Sequence, residues 1–417
     1  MQTKKYRVLY INHSPSVSGG AILSLMYLLE KLDHNVYTPI FVNIYDAPDV
    51  KEMLEEKGYK NIYWPGISVF HHTTAAWYSA FNLLGLFGML KTAVIFQSSI
   101  NASRRLIDNI KPDLVHLNSL ILAPSAIATK QAGVKLVWHI RESVVRGHIG
   151  LRKRWLSRMV STLADEAIFI SEHDRQNLCP NGTGVVIPNY VDFKRFDKNI
   201  DGAAVRKQLQ IPVNAKVVLF LGGLNRIKGG AVLLKALNIV SKYIPELWAI
   251  FAGAITPMSQ SFTARLGRTV LPLFGKATQR QEFYQALSYN RIKNQIVLLP
   301  FNRYPEKLIA ASDLVVFPSI EPHFARPVIE AGAMAKPVVA SRIGGVEELV
   351  KNEKTGLLVT PKSPSELGDA ICTLLKNNFL SHKMGHEGFL VAEKLYCAET
   401  NVKRTMAVYE RLLTKHT

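Results

Sequence analysis

Cysteine is scarce in this chain: Cys179, Cys372 and Cys397 are its only three, odd in number and widely spaced. They supply neither a disulfide framework nor metal-ligand spacing, which suits a reducing cytoplasm. No Asp-x-Asp pair occurs, so the carboxylates that commonly hold a metal-diphosphate are missing. The G-x-G-x-x-G fingerprint of dinucleotide sites is absent, and so is any G-x-S-x-G or Ser-His-Asp arrangement for acyl transfer. Zinc-finger spacing, aromatic RNA-binding motifs and KH-type glycine loops are also lacking, which argues against nucleic acid. The opening "MQTKKYRVLYINHS" carries only a short apolar strand after its basic residues, so no signal-peptide core is expected there.

Acidic residues are few, 32 against 51 Lys and Arg, leaving a net charge of +19. An anionic membrane surface or a phosphate-rich substrate is compatible with that balance. The basic residues thicken in "RESVVRGHIGLRKRWLSR", where Arg141, Arg146, Arg152, Lys153, Arg154 and Arg158 accompany a single acid, Glu142. Three readings stay open for this patch: a solvated helix face, a surface for membrane or acceptor phosphate, and, with no motif to support it, nucleic acid.

A chain of 417 residues exceeds one ordinary core, and two domains are expected. Short apolar runs alternate with helix-length amphipathic stretches. Strands are expected at 7–11, 39–43, 114–117, 135–139, 167–171 and 185–188, then at 217–221, 248–252, 296–300, 314–318, 337–340 and 356–359. Runs such as "VVLFL" and "LVVFP" are apolar at consecutive positions, the mark of parallel strands covered on both faces. The fold class is therefore α/β, two doubly wound, Rossmann-like parallel-sheet domains facing across a cleft. The boundaries expected are 1–200 and 201–398, with a polar linker at 189–214 and a C-terminal helix at 399–415 that packs back onto the first domain.

Two stretches break this rhythm. Residues 77–96, "WYSAFNLLGLFGMLKTAVIF", are long enough to cross a bilayer but carry Ser79, Asn82 and Lys91. Spanning, dipping into one leaflet or lining a lipid groove, and ordinary burial all remain open. Residues 256–290 form a basic-aromatic insertion with Arg265, Arg268, Lys276 and Arg280, either a functional lid or a structural flap.

Ligands of open α/β sheets sit beyond the carboxyl ends of the strands, so the residues following each strand carry the chemistry. The first strand is followed by "NHSPSVSGGAILSL", where Gly19 and Gly20 lead into a helix whose free amides suit an anion. The first strand of the second domain is followed by "GGLNRIKGG", with Gly222, Gly223, Arg226 and Lys228 suited to a phosphate or diphosphate. In "EPHFARPVIEAGAMAKPVVASRIGGVEELV", Glu321 and Glu330 follow the strand ending at Phe317, and a carboxylate there accepts hydrogen bonds from vicinal sugar hydroxyls. His139 ends a strand of the first domain at the expected cleft, with Arg141 close behind. Anion binding by cations and helix N-termini, with no metal and no cofactor, fits this set.

These segments resemble the retaining glycosyltransferases of the GT-B type, in the large family-four class that uses nucleotide sugars. The resemblance covers nearly the whole length, on "SGGA", "VWHIRE", "VIPNYVDFKRF", "GGLNRIKGG" and the stretch from Phe317 to Val359. It implies that Glu330 binds the ribose hydroxyls, Lys228 the donor diphosphate and His139 the donor sugar, while Gly20 approaches the reaction centre. It marks Gly222, Gly223, Arg226, Glu321, Phe324, Ala325, Arg326 and Val328 as further donor-binding residues, and Gly19, Gly20 and Arg141 as acceptor-side residues. The departing diphosphate would take the acceptor's proton on the same face, a stabilisation of developing charge without a protein nucleophile. The chain departs from the pattern twice. Gly223 stands where the family has an arginine, and eight residues rather than seven separate Glu321 from Glu330. The function expected is transfer from a UDP- or GDP-sugar to a glycan acceptor, lipid-linked, in surface-polysaccharide synthesis. The setting expected is cytoplasmic, peripheral at the inner face of the membrane, with no nucleic-acid partner. Two alternatives stay open: transfer to a soluble metabolite or protein, and an inactive scaffold serving as a partner subunit.

Overall fold

The structure, a computed structural model, describes residues 5–17, 19–70, 83–144, 146, 150–182, 184–253 and 276–414. The chain divides into two compact units, Met1–Tyr190 with Cys397–Thr417, and Val191–Tyr396.

The first unit holds seven strands: β1 Tyr6–Asn12, β2 Tyr37–Asn43, β3 Asn61–Tyr63, β4 Leu114–Leu117, β5 Lys135–Ile140, β6 Glu166–Phe169 and β7 Val185–Val186. They form one parallel sheet in the order β3-β2-β1-β4-β5-β6-β7. In β1, Leu9 and Ile11 enter one apolar layer while Val8 and Tyr10 enter the other. Burial on both faces is why the strand has no polar alternation. The helix Ala398–Thr414 supplies Ala398, Val402, Val408, Tyr409 and Leu412 to the second of these layers, one stripe at helical spacing.

The second unit holds β8 Lys216–Leu221, β9 Leu247–Ala252, β10 Ile296–Leu299, β11 Leu314–Phe317, β12 Val338–Ser341 and β13 Leu357–Val359. Their order is β10-β9-β8-β11-β12-β13, again parallel throughout. Val217 and Leu219 face one core layer, Val218 and Phe220 the other.

The units divide after Tyr190 rather than at residue 200, because Val191 and Phe196 are buried in the second unit's core. Segment 189–214 is not a free linker. It contains the helix Ala203–Gln208, and Arg206 ties it down through Ala311 O at 2.8 Å and Asp313 Oδ2 at 3.0 Å. Of the apolar stretch 77–96, residues 77–82 lie outside the described residues, and the rest begins the helix Leu83–Ile110. Among the described residues no helix is long and apolar enough to cross a membrane. The insertion 256–290 lies outside the described residues up to 275 and ends in the helix Lys276–Ser288, whose Phe283 is buried against Phe251.

Candidate functional site

In each sheet the strand order reverses once, between β1 and β4 in the first unit and between β8 and β11 in the second. Such a reversal opens a crevice beyond the strand ends, because the two flanking connections leave in opposite directions. The candidate residues gather at these two places.

In the second unit the loop after β8 runs from Gly222 to Gly229. Asn225 caps a single 3-10 turn, Arg226–Lys228, by accepting a hydrogen bond from Ile227 N at 3.2 Å. Gly229 then takes φ +75° as N-cap of the helix Gly230–Val240, and a Cβ there would lie 1.8 Å from Pro318 O. Only glycine lets this turn press against the loop after β11. The two loops are also bonded: Ser319 Oγ donates to Ile227 O at 2.5 Å and Ile320 N to the same oxygen at 2.8 Å. Lys228 Nζ donates to His323 Nε2 at 2.6 Å. Burial lowers the lysine to about 8, and burial together with the Lys228 ammonium holds His323 down at about 3. Beside the loop lies a cavity of about 180 Å³ bordered by Arg226, Gly229, Gly230, Lys235, Phe283 and Lys362. The first-turn amides of Gly230–Val240 and these cations make the region electropositive.

Glu330 sits on the helix Arg326–Ala333 and is 4 % exposed. Arg326 Nε donates to its Oε1 at 2.8 Å, one turn away. Burial pushes the Glu330 carboxyl up, while Arg326 and Arg195 pull it down. The nearby Arg195 is itself paired to Glu306 at 3.1 Å. Of the other expected donor residues, Glu321 and Phe324 are half-buried on the loop after β11. Ala325 and Val328 turn inward: both are packed in the apolar core. Arg326 is committed to Glu330. Gly223 has φ +67°, the left-handed region.

In the first unit, His139, Arg141 and Gly20 are brought together by a buried polar network. Arg141 donates from Nε to Asn118 Oδ1 at 2.7 Å and from a terminal nitrogen to Asn189 Oδ1 at 2.5 Å. Another terminal nitrogen lies 3.3 Å from His139 Nδ1. Ser24 Oγ bridges Gly20 O and Asn189 Oδ1, both at 3.1 Å, and Asn118 Nδ2 donates to Asn12 Oδ1 at 2.9 Å. His139 and His116 stack at 5.3 Å, and each has a buried Nε2 without a hydrogen-bond partner. Burial first, then the charge of Arg141, keeps both rings neutral. Glu142, expected only as a lone acid in a basic run, is half-buried and accepts from Ser119 Oγ and from Leu120 N at 3.1 Å. Gly19 has φ −84° and room for a side chain, so nothing in the protein's own packing requires glycine there.

The residues that sequence reasoning missed are Ser319 and His323 in the second unit and the asparagines Asn12, Asn43, Asn118 and Asn189 in the first. A signal existed for the asparagines. Each closes an apolar strand or follows one directly, in "YIN", "FVN", "VHLN" and "VIPN".

Two doubly wound parallel-sheet units of this order define a GT-B fold. Anabaena HepE, solved in complex with UDP and glucose, superposes with a TM-score of 0.76 over 97% of this chain and 99% of that chain, at 22% identity. Sucrose-phosphate synthase from Thermosynechococcus elongatus superposes at 0.70 over 99% of this chain and 100% of that chain, at 19% identity. Residues 201–390 match the family Glycosyl transferases group 1, and residues 50–195 match Glycosyltransferase Family 4. The chain belongs to the family-four glycosyltransferases. Among curated relatives, the D-inositol 3-phosphate glycosyltransferase of Corynebacterium urealyticum is 29% identical over 55% of this chain and 51% of its own length. That of Corynebacterium jeikeium is 31% identical over 48% of this chain and 45% of its own length. The chain spans about half the length of the relatives it matches.

Proposed function

We propose that this chain transfers a sugar from a UDP- or GDP-sugar, with retention of configuration, to a glycan acceptor linked to lipid, in the synthesis of a surface polysaccharide. The observation that carries the donor half is the pair of bonded loops at the β8–β11 reversal, with Lys228 between them and the buried Glu330 behind. Lys228 and the amides of Gly230–Val240 meet the diphosphate, and stabilise its charge as it departs. Glu330, which burial pushes up and two arginines partly pull back, accepts hydrogen bonds from the ribose hydroxyls. His139 is neutral with an unsatisfied Nε2. It meets a sugar hydroxyl without adding charge.

The lipid-linked acceptor is favoured by one face of the first unit. Phe70, Phe96 and Trp155 pack edge-on or tilted, with ring centroids 5.1 to 6.2 Å apart, and join the helices Leu83–Ile110 and Leu151–Leu163. Leu90 and Val94 on the first of these helices and Leu151 on the second are exposed, and Arg154 and Arg158 are exposed on the helix that carries Trp155. Apolar side chains among cations suit an anionic leaflet, which supports a peripheral position at the inner membrane face. A second reading, a soluble phosphorylated polyol as acceptor, is favoured by the name shared by the corynebacterial relatives.

The test is calorimetric binding of UDP-, GDP-, ADP- and dTDP-sugars to the wild type and to Glu330→Ala, followed by turnover with D-inositol 3-phosphate or with a membrane lipid extract. One donor that binds and loses at least tenfold in the variant supports the donor site, and the productive acceptor chooses between the readings. Binding unaffected by Glu330→Ala refutes the site; binding without turnover of any acceptor moves the chain to the partner-subunit alternative.

A further inference from the structure

The loop between Glu321 and Glu330 is one residue longer than the family pattern, and the lengthened turn carries His323 to Lys228. The hydrogen bonds fix how that imidazole is protonated. Its Nδ1 lies 3.0 Å from Glu321 O and 3.0 Å from Ser319 Oγ. A carbonyl oxygen only accepts, and the single hydroxyl hydrogen of Ser319 goes to Ile227 O. The proton is therefore on Nδ1, and Nε2 offers a lone pair to Lys228 at 2.6 Å. The ring of Phe317 backs the imidazole at 5.0 Å and lies 5.8 Å from the ammonium. Ser319 thus holds His323, and His323 holds Lys228.

We propose that His323 is a positioning residue that aims Lys228 at the diphosphate of the nucleotide sugar. The inference rests on the reading of Lys228 as the diphosphate ligand. The partner's chemistry matters. An aspartate or glutamate in this place would hold the lysine equally well but cancel its charge. A neutral imidazole occupies one of the three ammonium hydrogens and leaves the full charge, with two hydrogens, for phosphate oxygens. Pinning the long side chain beforehand also removes rotamer entropy that binding would otherwise cost. The charged side chains around this point are Arg226 on the same turn, Glu321 on the facing loop, and Lys235, Glu282 and Lys362 about the adjoining cavity.

The experiment is titration of the full chain with UDP and GDP, across pH 6 to 9, in the wild type, Lys228→Ala, His323→Phe, His323→Gln and Lys228→Ala/His323→Phe. Glutamine keeps an acceptor at the reach of Nε2, whereas phenylalanine keeps only the ring. Whichever nucleotide binds, affinity is expected to fall about tenfold in His323→Phe, on the order of ordering one lysine side chain, and to stay within about threefold in His323→Gln. The double variant is expected to match Lys228→Ala alone. Binding fails on the alkaline side as Lys228 loses its proton near pH 8. Losing the acceptor that favours the charged amine moves this limb to lower pH in His323→Phe, and glutamine restores it. A loss in Lys228→Ala with none in His323→Phe, or losses that add in the double variant, overturns the role of His323 while the donor site stands. No loss in Lys228→Ala overturns both.

Discussion

Acidification from pH 7 to pH 5 should destabilise the first unit, and the magnitude follows from two neutral histidines. His116 and His139 are buried together and held well below the ordinary range near 6.5, first by burial and then by Arg141. In the unfolded chain both take up a proton as pH falls below about 6.5, while the folded rings do not. The stability they contribute is therefore complete above that value and is lost as pH falls. A ring that stays neutral loses about 1.4 kcal/mol per pH unit once well below that value, hence at most about 2 kcal/mol by pH 5 and at most about 4 kcal/mol for the pair. Against a typical domain stability of 5–15 kcal/mol this is a large fraction. Glu142 opposes the trend. Its burial raises the folded carboxyl, so it holds a proton where the unfolded chain has lost one, and acidification toward 4.5 returns part of the loss. The assay is urea unfolding at pH 7, 6 and 5, read by pulse hydrogen exchange on peptides of β4 and β5, which report this unit alone. His139→Gln should remove about half of the pH dependence. Unfolding free energies at pH 7 and 5 within about 1 kcal/mol of each other, or an unchanged slope in His139→Gln, would refute the argument.

Four further outcomes follow from local geometry. Gly229→Ala should part the loops after β8 and β11, costing about 1–3 kcal/mol and most of the nucleotide affinity, because its Cβ would meet Pro318 O at 1.8 Å. Gly19→Ala, with its nearest neighbour at 3.8 Å, should unfold within about 0.5 kcal/mol of the wild type; equal denaturation midpoints for the two variants would contradict the contrast. Tyr409→Phe removes the 2.6 Å partner of His116 Nδ1 and should lower the first unit's stability by about 1–3 kcal/mol, measured by the same exchange assay. Trp155→Glu should weaken co-sedimentation with phosphatidylglycerol vesicles at least fivefold and leave phosphatidylcholine vesicles unbound in both forms; equal binding by the variant would remove this face as the membrane contact.

The strands were legible because their physics is local. An apolar run such as "VVLFL" is covered on both faces wherever it lies in a parallel sheet, and the structure places β8 within one residue of the expected span. The three-residue β3 was not legible, since an edge strand with half-exposed side chains carries no continuous apolar run. The same distinction divides the site. Gly222, Lys228 and Glu330 stand in glycine and carboxylate patterns that a single segment displays. The bonds from Ser319 to Ile227 and from Lys228 to His323 join positions more than ninety residues apart, so neither segment announces them alone. Arg141 was legible as a charge but not as the hub joining three buried side chains, because asparagine after a strand reads equally well as a turn residue.

The two departures from the family pattern bear on one quantity, the positive charge available to a diphosphate. At Gly223 the backbone has φ +67°, and a Cβ would come within 3.1 Å of Gly253 O. An arginine there would cost about 1–2 kcal/mol for the left-handed conformation and need Gly253 O to shift by a few tenths of an ångström, so this loop geometry disfavours the family's cation. The loop therefore offers Lys228, with Arg226 exposed on the same turn. With one cation fewer, a carboxylate partner for that lysine would cancel one of the two positive charges on the turn. The longer turn supplies a neutral acceptor in its place. The loss at Gly223 and the gain of His323 are thus consistent as a pair: the first reduces the charge on the loop, and the second keeps what remains from being cancelled.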